Sequence, residues 1–263
     1  MIFVIIASAA YLIALCLQWR MTRQSTAFVR RTWIVPAIIA VCAHALYHIH
    51  ATLQANGHTD MHFFAALSLT ALGMTVMTTL FEDARQATVL GIIVFPLTTL
   101  FLVLCAIHGI KPSIHALGWR LSIHAWLALL AYATLSIAAI LAVMLWLQEN
   151  ALRQRVVRQW LYVLPPLTEV ETLLFRTIHA GFLLLTLTLI TGLVFVNNLF
   201  TQQLLPKTML SVLSWVLFGA LLLGRWRYGW RGMKAIHLTL VAMFLLLLSF
   251  FGTQLFFEHL PGI

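Results

Sequence analysis

Residues 121–148 read LSIHAWLALLAYATLSIAAILAVMLWLQ and contain no Asp, Glu, Lys or Arg. A helix of about 20 apolar residues is long enough to cross the hydrocarbon core of a bilayer. Inside hydrocarbon, every backbone N–H and C=O must find a partner within the segment or in a closed barrel, and a long continuous apolar run favours the helix. The stretch therefore predicts a transmembrane helix.

Similar runs without a charged residue occupy much of the rest of the chain. They are residues 1–19, 32–59, 61–81, 86–110, 177–206, 208–224 and 235–257. The chain of 263 residues is 62% hydrophobic and 9% charged, whereas a soluble domain carries roughly a quarter charged residues. We therefore predict an all-α integral membrane protein, with one transmembrane domain over residues 1–263 formed by eight helices. The predicted spans are about 1–19, 33–55, 61–81, 87–108, 121–147, 177–197, 208–224 and 235–257.

The net charge of +9 is distributed unevenly between the two sides of this topology. If both termini lie outside, the inner loops hold thirteen of the sixteen Lys and Arg residues, and the outer side holds Lys111, Arg120 and Lys207. Such an excess of inner positive charge orients membrane proteins. We therefore expect both termini on the outer, periplasmic side of a multi-pass protein in a bacterial inner membrane. The basic character then reflects topology and contact with the lipid bilayer, and nucleic acid is not an expected partner.

Several kinds of chemistry are absent from the sequence. There is no phosphate-binding glycine motif, no HExxH and no CxxC. No Asp or Glu lies inside a predicted span, which argues against a proton relay built from carboxylates. Thr168 and Glu171 resemble a capping box that opens the sixth span. No set of residues for bond-making chemistry is visible, so a carrier or chaperone is expected rather than an enzyme.

Histidine is the unusual residue of this chain. There are eleven, and most of them fall in the predicted outer half or outer loops. His44 and His48 lie inside the second span, where an ionisable residue is a candidate functional residue. They are four residues apart, so they share one face of a helix.

The pair His44 and His48 leaves three interpretations open. Two such side chains can share a tetrahedral metal ion such as zinc. They cannot be the two axial ligands of one haem, because these approach from opposite faces of the porphyrin, so haem would require a histidine from another helix. Plain packing is the third interpretation. The candidate partners on other helices are His124, His259, His179 and His237.

Four stretches of the chain resemble one family. They are LPPLTEVETLLFRTIHAGFLLLTLTLITGLVFVNNLF (164–200), SVLSWVLFGALLLGRWRYGWRG (211–232), SFFGTQ (249–254) and HAWLALLAYATL (124–135). They are similar to the cytochrome c assembly membrane proteins of the CcsA-like type, in particular to their small eight-span HemX-like and YpjD-like relatives. The resemblance implies an inner-membrane protein that binds haem at the outer face of its helix bundle.

The resemblance also implies ligands for the haem iron. By position, His124 resembles an outer haem ligand, His259 is the counterpart of the second outer ligand, and His44 resembles a histidine of an early span. His124 opens span five and His259 follows span eight, so two different helices would supply the two faces of the haem. Trp119, Trp126 and Phe256 or Phe257 are close in sequence and are expected to cover the porphyrin plane.

One loop departs from the family pattern. Between spans six and seven the family carries a tryptophan-rich loop, whereas this chain reads NNLFTQQLLPK (197–207). We therefore expect haem binding, with haem b as the cofactor, in cytochrome c assembly or haem delivery, but not full synthetase activity. The expected partners are other cytochrome c maturation membrane proteins or apocytochrome c. The alternatives are a regulatory or scaffold subunit without a cofactor, and an accessory of divalent-metal transport that uses His44 and His48.

Overall fold

All described elements of the protein are helical. The computed structural model describes residues 1–23, 32–54, 62–80, 84–109, 118–154, 164–195 and 205–252. Its helices are α1 (Ile2–Arg23), α2 (Ile34–Gln54), α3 (Phe63–Leu80), α4 (Ala84–His108), α5 (Trp119–Arg153), α6 (Leu167–Phe195), α7 (Leu205–Tyr228) and α8 (Met233–Leu247). A π-helical turn, Leu248–Gly252, continues α8. Within these residues there is no strand, and eight helices are long and apolar enough to cross a membrane. The predicted eight-span helical fold is confirmed.

The helices form two compact units. In unit 1, which contains α1–α4, each helix packs against the next and α1 also packs against α4. In unit 2, which contains α5–α8, each helix again packs against the next and α5 packs against α8. Each unit is therefore a closed ring of four helices. A single domain over residues 1–263 stays a prediction.

Small side chains allow α1 and α2 to approach closely. The buried positions of α1 recur every three or four residues and so share one face; they include Val4, Ala7, Ala10, Tyr11 and Ala14. The buried positions of α2 include Ala37, Ala40, Ala43 and His44. Lipid tails are as apolar as the helices, so close packing of such small faces holds the helices together. This packing brings Tyr11 beside His44.

Helix α6 begins ten residues before the predicted span. It covers Leu167–Phe195, and Glu171 is among its buried residues. Three charged residues interrupt the apolar sequence there, so the uncharged run predicts too late a start. Because Thr168 lies inside the first turn of α6, the predicted capping box is wrong, and the Glu171 carboxylate instead accepts a hydrogen bond from Arg225.

A glycine sets the distance between α5 and α6. A Cβ at Gly181 would lie 2.5 Å from Cδ2 of Leu135 on α5, a separation that real contacts do not show. Only a residue without a side chain allows α6 to lie this close to α5 without displacing Leu135. The same pair of helices carries His124.

Candidate functional site

His124 lies in the second turn of α5 and is half-buried against α6. Its Nδ1 is 3.2 Å from Oγ1 of Thr191. A Cβ at Gly192 would lie 3.1 Å from His124 Cε1, closer than most real contacts. Helix α6 therefore offers to the imidazole the hydroxyl of Thr191, the backbone of Thr188 and a bare stretch of backbone at Gly192.

The hydroxyl of Thr191 can accept the proton of His124 Nδ1. It has acceptors for its own proton on α6, at 2.9 Å from Leu187 O and 3.0 Å from Thr188 O. With its proton on one of these carbonyls, Thr191 accepts from the tautomer of the neutral imidazole that is protonated on Nδ1. The lone pair then resides on Nε2, and an imidazole with this lone pair is a common metal ligand.

Aromatic side chains surround the first turn of α5. The rings of Trp119 and Phe195 are 6.1 Å apart, which places the start of α5 beside the end of α6. The guanidinium of Arg120 lies 5.4 Å from the Trp119 ring. Trp119 and Trp126 are both exposed, at 66% and 47%. These two predicted covering residues thus have surface available for contact with a flat ligand.

The predicted second ligand, His259, lies outside the described residues, as do Phe256 and Phe257. Its pairing with His124 stays a prediction. The described element nearest to His259 in the sequence is the π-helical turn after α8.

This π-helical turn is a hydrogen-bonding centre that the sequence reasoning missed. Ser249 Oγ donates to Lys207 O at 2.7 Å and lies 2.7 Å from Ser211 Oγ on α7. Tyr132 of α5 donates to Leu246 O of α8 at 2.8 Å, and its ring centroid lies 5.8 Å from that of Phe250 in the turn. The turn thus contacts both α5 and α7. Helices widen into π turns mostly in short segments that are often functional, but no sequence pattern marks one here.

His44 and His48 meet on one oxygen, that of Ser68 on α3. His44 Nε2 is 2.9 Å and His48 Nε2 is 3.0 Å from Ser68 Oγ. Their rings stack with centroids 5.4 Å apart. The predicted common face is therefore correct. His44 is fully buried and its Nδ1 lies 3.2 Å from the hydroxyl of Tyr11 on α1.

One arrangement of protons satisfies every bond in this cluster. With Thr75 donating to Leu72 O at 2.8 Å, Thr75 accepts from Tyr11, whose hydroxyl is 3.3 Å away. In this arrangement Tyr11 accepts from His44 Nδ1, and His44 Nε2 accepts from Ser68. Ser68 in turn accepts from His48 Nε2. We call these five residues the unit 1 polar chain; they are His48, Ser68, His44, Tyr11 and Thr75.

The unit 1 polar chain uses both ring nitrogens of His44. Ligation of a metal or of haem iron by His44 would require one of these bonds to break. Among the described residues, no three side chains of His, Cys, Asp or Glu come together as metal ligands. The ligand roles of His44 and His48 stay predictions, and the described contacts join α1, α2 and α3.

A buried carboxylate at the other end of unit 2 was also missed. Glu171 is 2.9 Å from Arg225 and 3.8 Å from Arg231. Arg225 also donates to Trp230 O at 3.2 Å and lies over the ring of Phe175, 4.5 Å from its centroid. The sequence predicted a cap at Glu171 because its partners, Arg225 in the last turn of α7 and Arg231 just after this helix, are distant in the chain. The cluster joins α6 to the end of α7 and to the residues that follow it.

Comparison with known proteins identifies the chain. The sequence profile of the family described as "Cytochrome C assembly protein" matches residues 32–260. The chain belongs to the cytochrome c assembly protein family. This membership supports a role in cytochrome c biogenesis, and the predicted family resemblance is confirmed.

Two relatives show how far the similarity extends. The inner membrane protein YpjD of Escherichia coli (strain K12) is 28% identical over 258 residues, which cover 97% of this chain and 97% of YpjD. The cytochrome c biogenesis protein CcsA of a strain of Prochlorococcus marinus is 33% identical over 88 residues, or 33% of this chain and 28% of CcsA. No solved structure matches the chain. With eight apolar helices among its described residues, this member of the family is a multi-pass protein of the bacterial inner membrane.

Proposed function

We propose that this protein binds haem in cytochrome c assembly or haem delivery, with His124 Nε2 as one axial ligand of the iron. The observation that carries the proposal is the setting of His124, whose Nδ1 lies 3.2 Å from Oγ1 of Thr191. In the tautomer in which Nδ1 donates to Thr191, Nε2 has the lone pair that binds a metal. A hydrogen bond to the second ring nitrogen is the usual way in which proteins orient a ligating histidine. Family membership supplies the biological context.

The residues around His124 fit a planar ligand of this kind. Gly192 leaves room beside the ring, since a Cβ there would lie 3.1 Å from the imidazole. Trp119 and Trp126 expose large aromatic surfaces close by in the sequence. When bound, haem would supply an iron to which an imidazole nitrogen can bind. The protein's own contribution is to orient the imidazole and to provide apolar surface.

His259 is the proposed second ligand. It follows α8, whereas His124 lies on α5, so the two imidazoles can approach iron from opposite faces. The proposal for His259 rests on topology and on the resemblance in sequence. We propose haem b as the cofactor, because no CxxCH attachment motif for a covalent haem occurs in the chain.

We further propose that the protein acts as a carrier or chaperone. Its described titratable clusters are hydrogen-bonded into the helix bundle, and the 197–207 loop has no tryptophan. Haem held between histidines of different helices can be released to a recipient when one ligand is exchanged. The recipient class is apocytochrome c or another membrane protein of cytochrome c maturation.

The test is the visible spectrum of the full-length protein purified in detergent and supplied with ferric haem. We expect a Soret band that His124→Ala removes or strongly shifts. His259→Ala should leave a weaker, five-coordinate spectrum, and the control His58→Ala should change neither. Unaltered haem content and spectrum in the double variant His124→Ala/His259→Ala would show that this pair is not the site.

Other outcomes select the alternatives. A colourless protein that contains stoichiometric zinc would contradict the haem proposal and indicate the metal site at His44 and His48. A colourless, metal-free protein that copurifies with another membrane protein would contradict it in favour of a cofactor-free subunit.

A further inference from the structure

Residues 224–234, which we call the α7–α8 junction, have a backbone that fixes how α7 ends. Gly229 follows α7 with φ of 64°, a left-handed conformation that favours glycine and often ends a helix. Its N–H donates to Arg225 O at 3.1 Å, and the N–H of Trp230 donates to Gly224 O at 3.2 Å. The ring of Trp230 lies over Gly224, where a Cβ would have no space. The α7–α8 junction therefore folds back on the last turn of α7.

Two cations of the α7–α8 junction are paired with a carboxylate of α6. Glu171 is 2.9 Å from Arg225 and 3.8 Å from Arg231. Arg225 also donates to Trp230 O at 3.2 Å. The side chain of Glu171 is buried, with 5% of its surface exposed, so this carboxylate is held within the protein. Arg225 and Arg231 therefore already have a negatively charged partner.

Two further cations of the α7–α8 junction have no such partner. Arg227 lies in the last turn of α7 and Lys234 in the first turn of α8, and both are exposed. Among the described residues, neither of them takes part in an ion pair. Glu169, in the first turn of α6, is exposed and also forms none. The charges of Arg227 and Lys234 are therefore available to anions outside the protein.

Exposed aromatic side chains lie on both sides of Arg227. Trp226 is 80% and Tyr228 is 73% exposed. Helix α7 has 24 residues, and at 1.5 Å per residue it is about 36 Å long, whereas the hydrocarbon core of a bilayer measures about 30 Å. The last turn of α7 can therefore reach the headgroup region, which Trp and Tyr favour. Arg227 is thus placed at the depth of the lipid phosphates.

We propose that Arg227 and Lys234 bind the phosphate groups of anionic phospholipids. A guanidinium can donate two parallel hydrogen bonds to one phosphate, and an ammonium attracts a phosphate as a point charge. In phosphatidylglycerol the phosphate charge is not balanced within the lipid, whereas phosphatidylcholine balances it with its own trimethylammonium group. The α7–α8 junction should therefore select anionic over zwitterionic lipid. It belongs to the predicted inner side, where thirteen of the sixteen basic residues fall, so these lipids belong to the cytoplasmic leaflet.

The fixed backbone of the α7–α8 junction favours such binding. Its hydrogen bonds and the ion pairs of Glu171 order the chain between Arg227 and Lys234 before a lipid arrives. An ordered segment loses less conformational freedom on binding than a flexible one. This inference is independent of the proposed haem site, because it uses no residue of that site.

The test is lipid binding by the delipidated full-length protein in a non-ionic detergent, measured by native mass spectrometry. The probes are phosphatidylglycerol and phosphatidylcholine with the same acyl chains. We expect the tightest phosphatidylglycerol to bind about 10-fold or more tightly than phosphatidylcholine, and Arg227→Gln and Lys234→Gln each to weaken its binding about 5-fold, in line with the contribution of one basic residue near anionic lipid. Binding of phosphatidylcholine should not change in either variant.

A matched control comes from the same end of unit 2. The side chain of Arg153 is 66% exposed, but its charge is paired with Glu149 at 3.3 Å. We expect Arg153→Gln to change the affinity for phosphatidylglycerol by less than about 2-fold, because an ion pair already satisfies this cation. Raising the salt concentration should weaken binding of phosphatidylglycerol but not of phosphatidylcholine, because salt screens exposed charges.

Three outcomes would overturn the lipid site. The first is equal affinity for the two lipids, or wild-type affinity for phosphatidylglycerol in the double variant Arg227→Gln/Lys234→Gln. The second is competition by millimolar inorganic phosphate at constant ionic strength, which would indicate a site for free phosphate. The third is equal weakening of both lipids by the Gln variants, which would assign these cations to folding. The Soret band of the same variants should be that of the wild type, so the haem proposal is tested separately.

Discussion

At the scale of single residues, hydroxyl protons decide which nitrogen of each histidine is available. With its proton on its own helix, Thr191 leaves His124 Nε2 as the nitrogen with the lone pair. In the unit 1 polar chain, the same rule engages both nitrogens of His44. Two histidines inside membrane helices thus have different capacities as ligands, although their residue type is the same.

The hydrogen bond between Thr191 and His124 can be removed with little change in the shape of the side chain at position 191. Thr191→Val replaces the hydroxyl by a methyl group, so Nδ1 of His124 loses its acceptor. We expect haem affinity to fall about 10-fold, as for other groups that orient metal ligands, and Thr191→Ser to restore it. Thr172→Val is the matched control, because Thr172 lies on the same helix and donates only to Thr168 O. Equal affinities in the two Val variants would refute the role of Thr191.

The oxygen of Ser68 should matter for stability. Ser68→Ala leaves the buried Nε2 of His44 without a donor, and we expect a loss of about 1–2 kcal/mol in the free energy of unfolding. Thr70→Val is the control, because Thr70 is on the same helix and donates only to Ala66 O at 2.7 Å. We expect Thr70→Val to lower the free energy of unfolding by less than half as much as Ser68→Ala. Unfolding in mixed detergent measures both, and an equal cost would show that the Ser68 bonds add nothing.

At the scale of helices, contacts between α5 and α6 shape the site around His124. Two glycines on α6 face α5, with Gly181 against Leu135 and Gly192 against His124. They lie eleven residues apart, which is three turns, so both fall on one face of α6. The face that brings the helices together is also the face that receives the imidazole.

Adding one carbon to this face should disturb the site but not the fold. In Gly192→Ala the new Cβ would lie 3.1 Å from His124 Cε1, so the ring must move. We expect a shifted Soret band and weaker haem binding. Thermal stability should be equal or higher, because Ala favours a helix over Gly by roughly 0.5–1 kcal/mol. Gly219→Ala is the control, since its Cβ would meet Phe182 at an ordinary 3.5 Å. A spectrum unchanged by Gly192→Ala would contradict this geometry.

The helices were predictable from sequence to different degrees. The predicted spans match α2 and α3 to within two residues at each end, because no Asp, Glu, Lys or Arg interrupts either helix. They fail at the start of α6, where Glu171 is buried but paired with Arg225, which lies 54 residues later in the chain. A carboxylate is predicted to be exposed from the sequence alone, because the distant partner that allows its burial is not visible there. The π-helical turn after α8 has no sequence signature of its own.

At the scale of the whole molecule, charge asymmetry predicts the orientation in the membrane. Thirteen of sixteen basic residues fall in the predicted inner loops, so both termini should be periplasmic. A C-terminal alkaline phosphatase fusion should be active and a C-terminal fluorescent protein fusion dark. The opposite result would place His124 on the cytoplasmic side.

The candidate site was predictable only in part. Spacing alone shows that His44 and His48 share a helix face, and the structure agrees. Their common partner Ser68 could not be read from the sequence, because it depends on how α3 packs against α2. For His124 the residue was predictable from family resemblance, whereas Thr191 was not, since a threonine in an apolar helix ordinarily bonds to its own backbone.

The unit 1 polar chain also dictates an order of events during synthesis. Tyr11 enters the bilayer first, with a hydroxyl whose partners His44 and Thr75 have not yet been made. Those partners arrive with the second and third helices, and 188 residues of the sequence follow Thr75. At about 5–20 residues per second, translation of these residues takes roughly 10–40 s, during which the bonds among the first three helices can form. The hydrogen bonds of the Tyr11 hydroxyl thus favour association of α1 with α2 and α3 as soon as these helices have inserted.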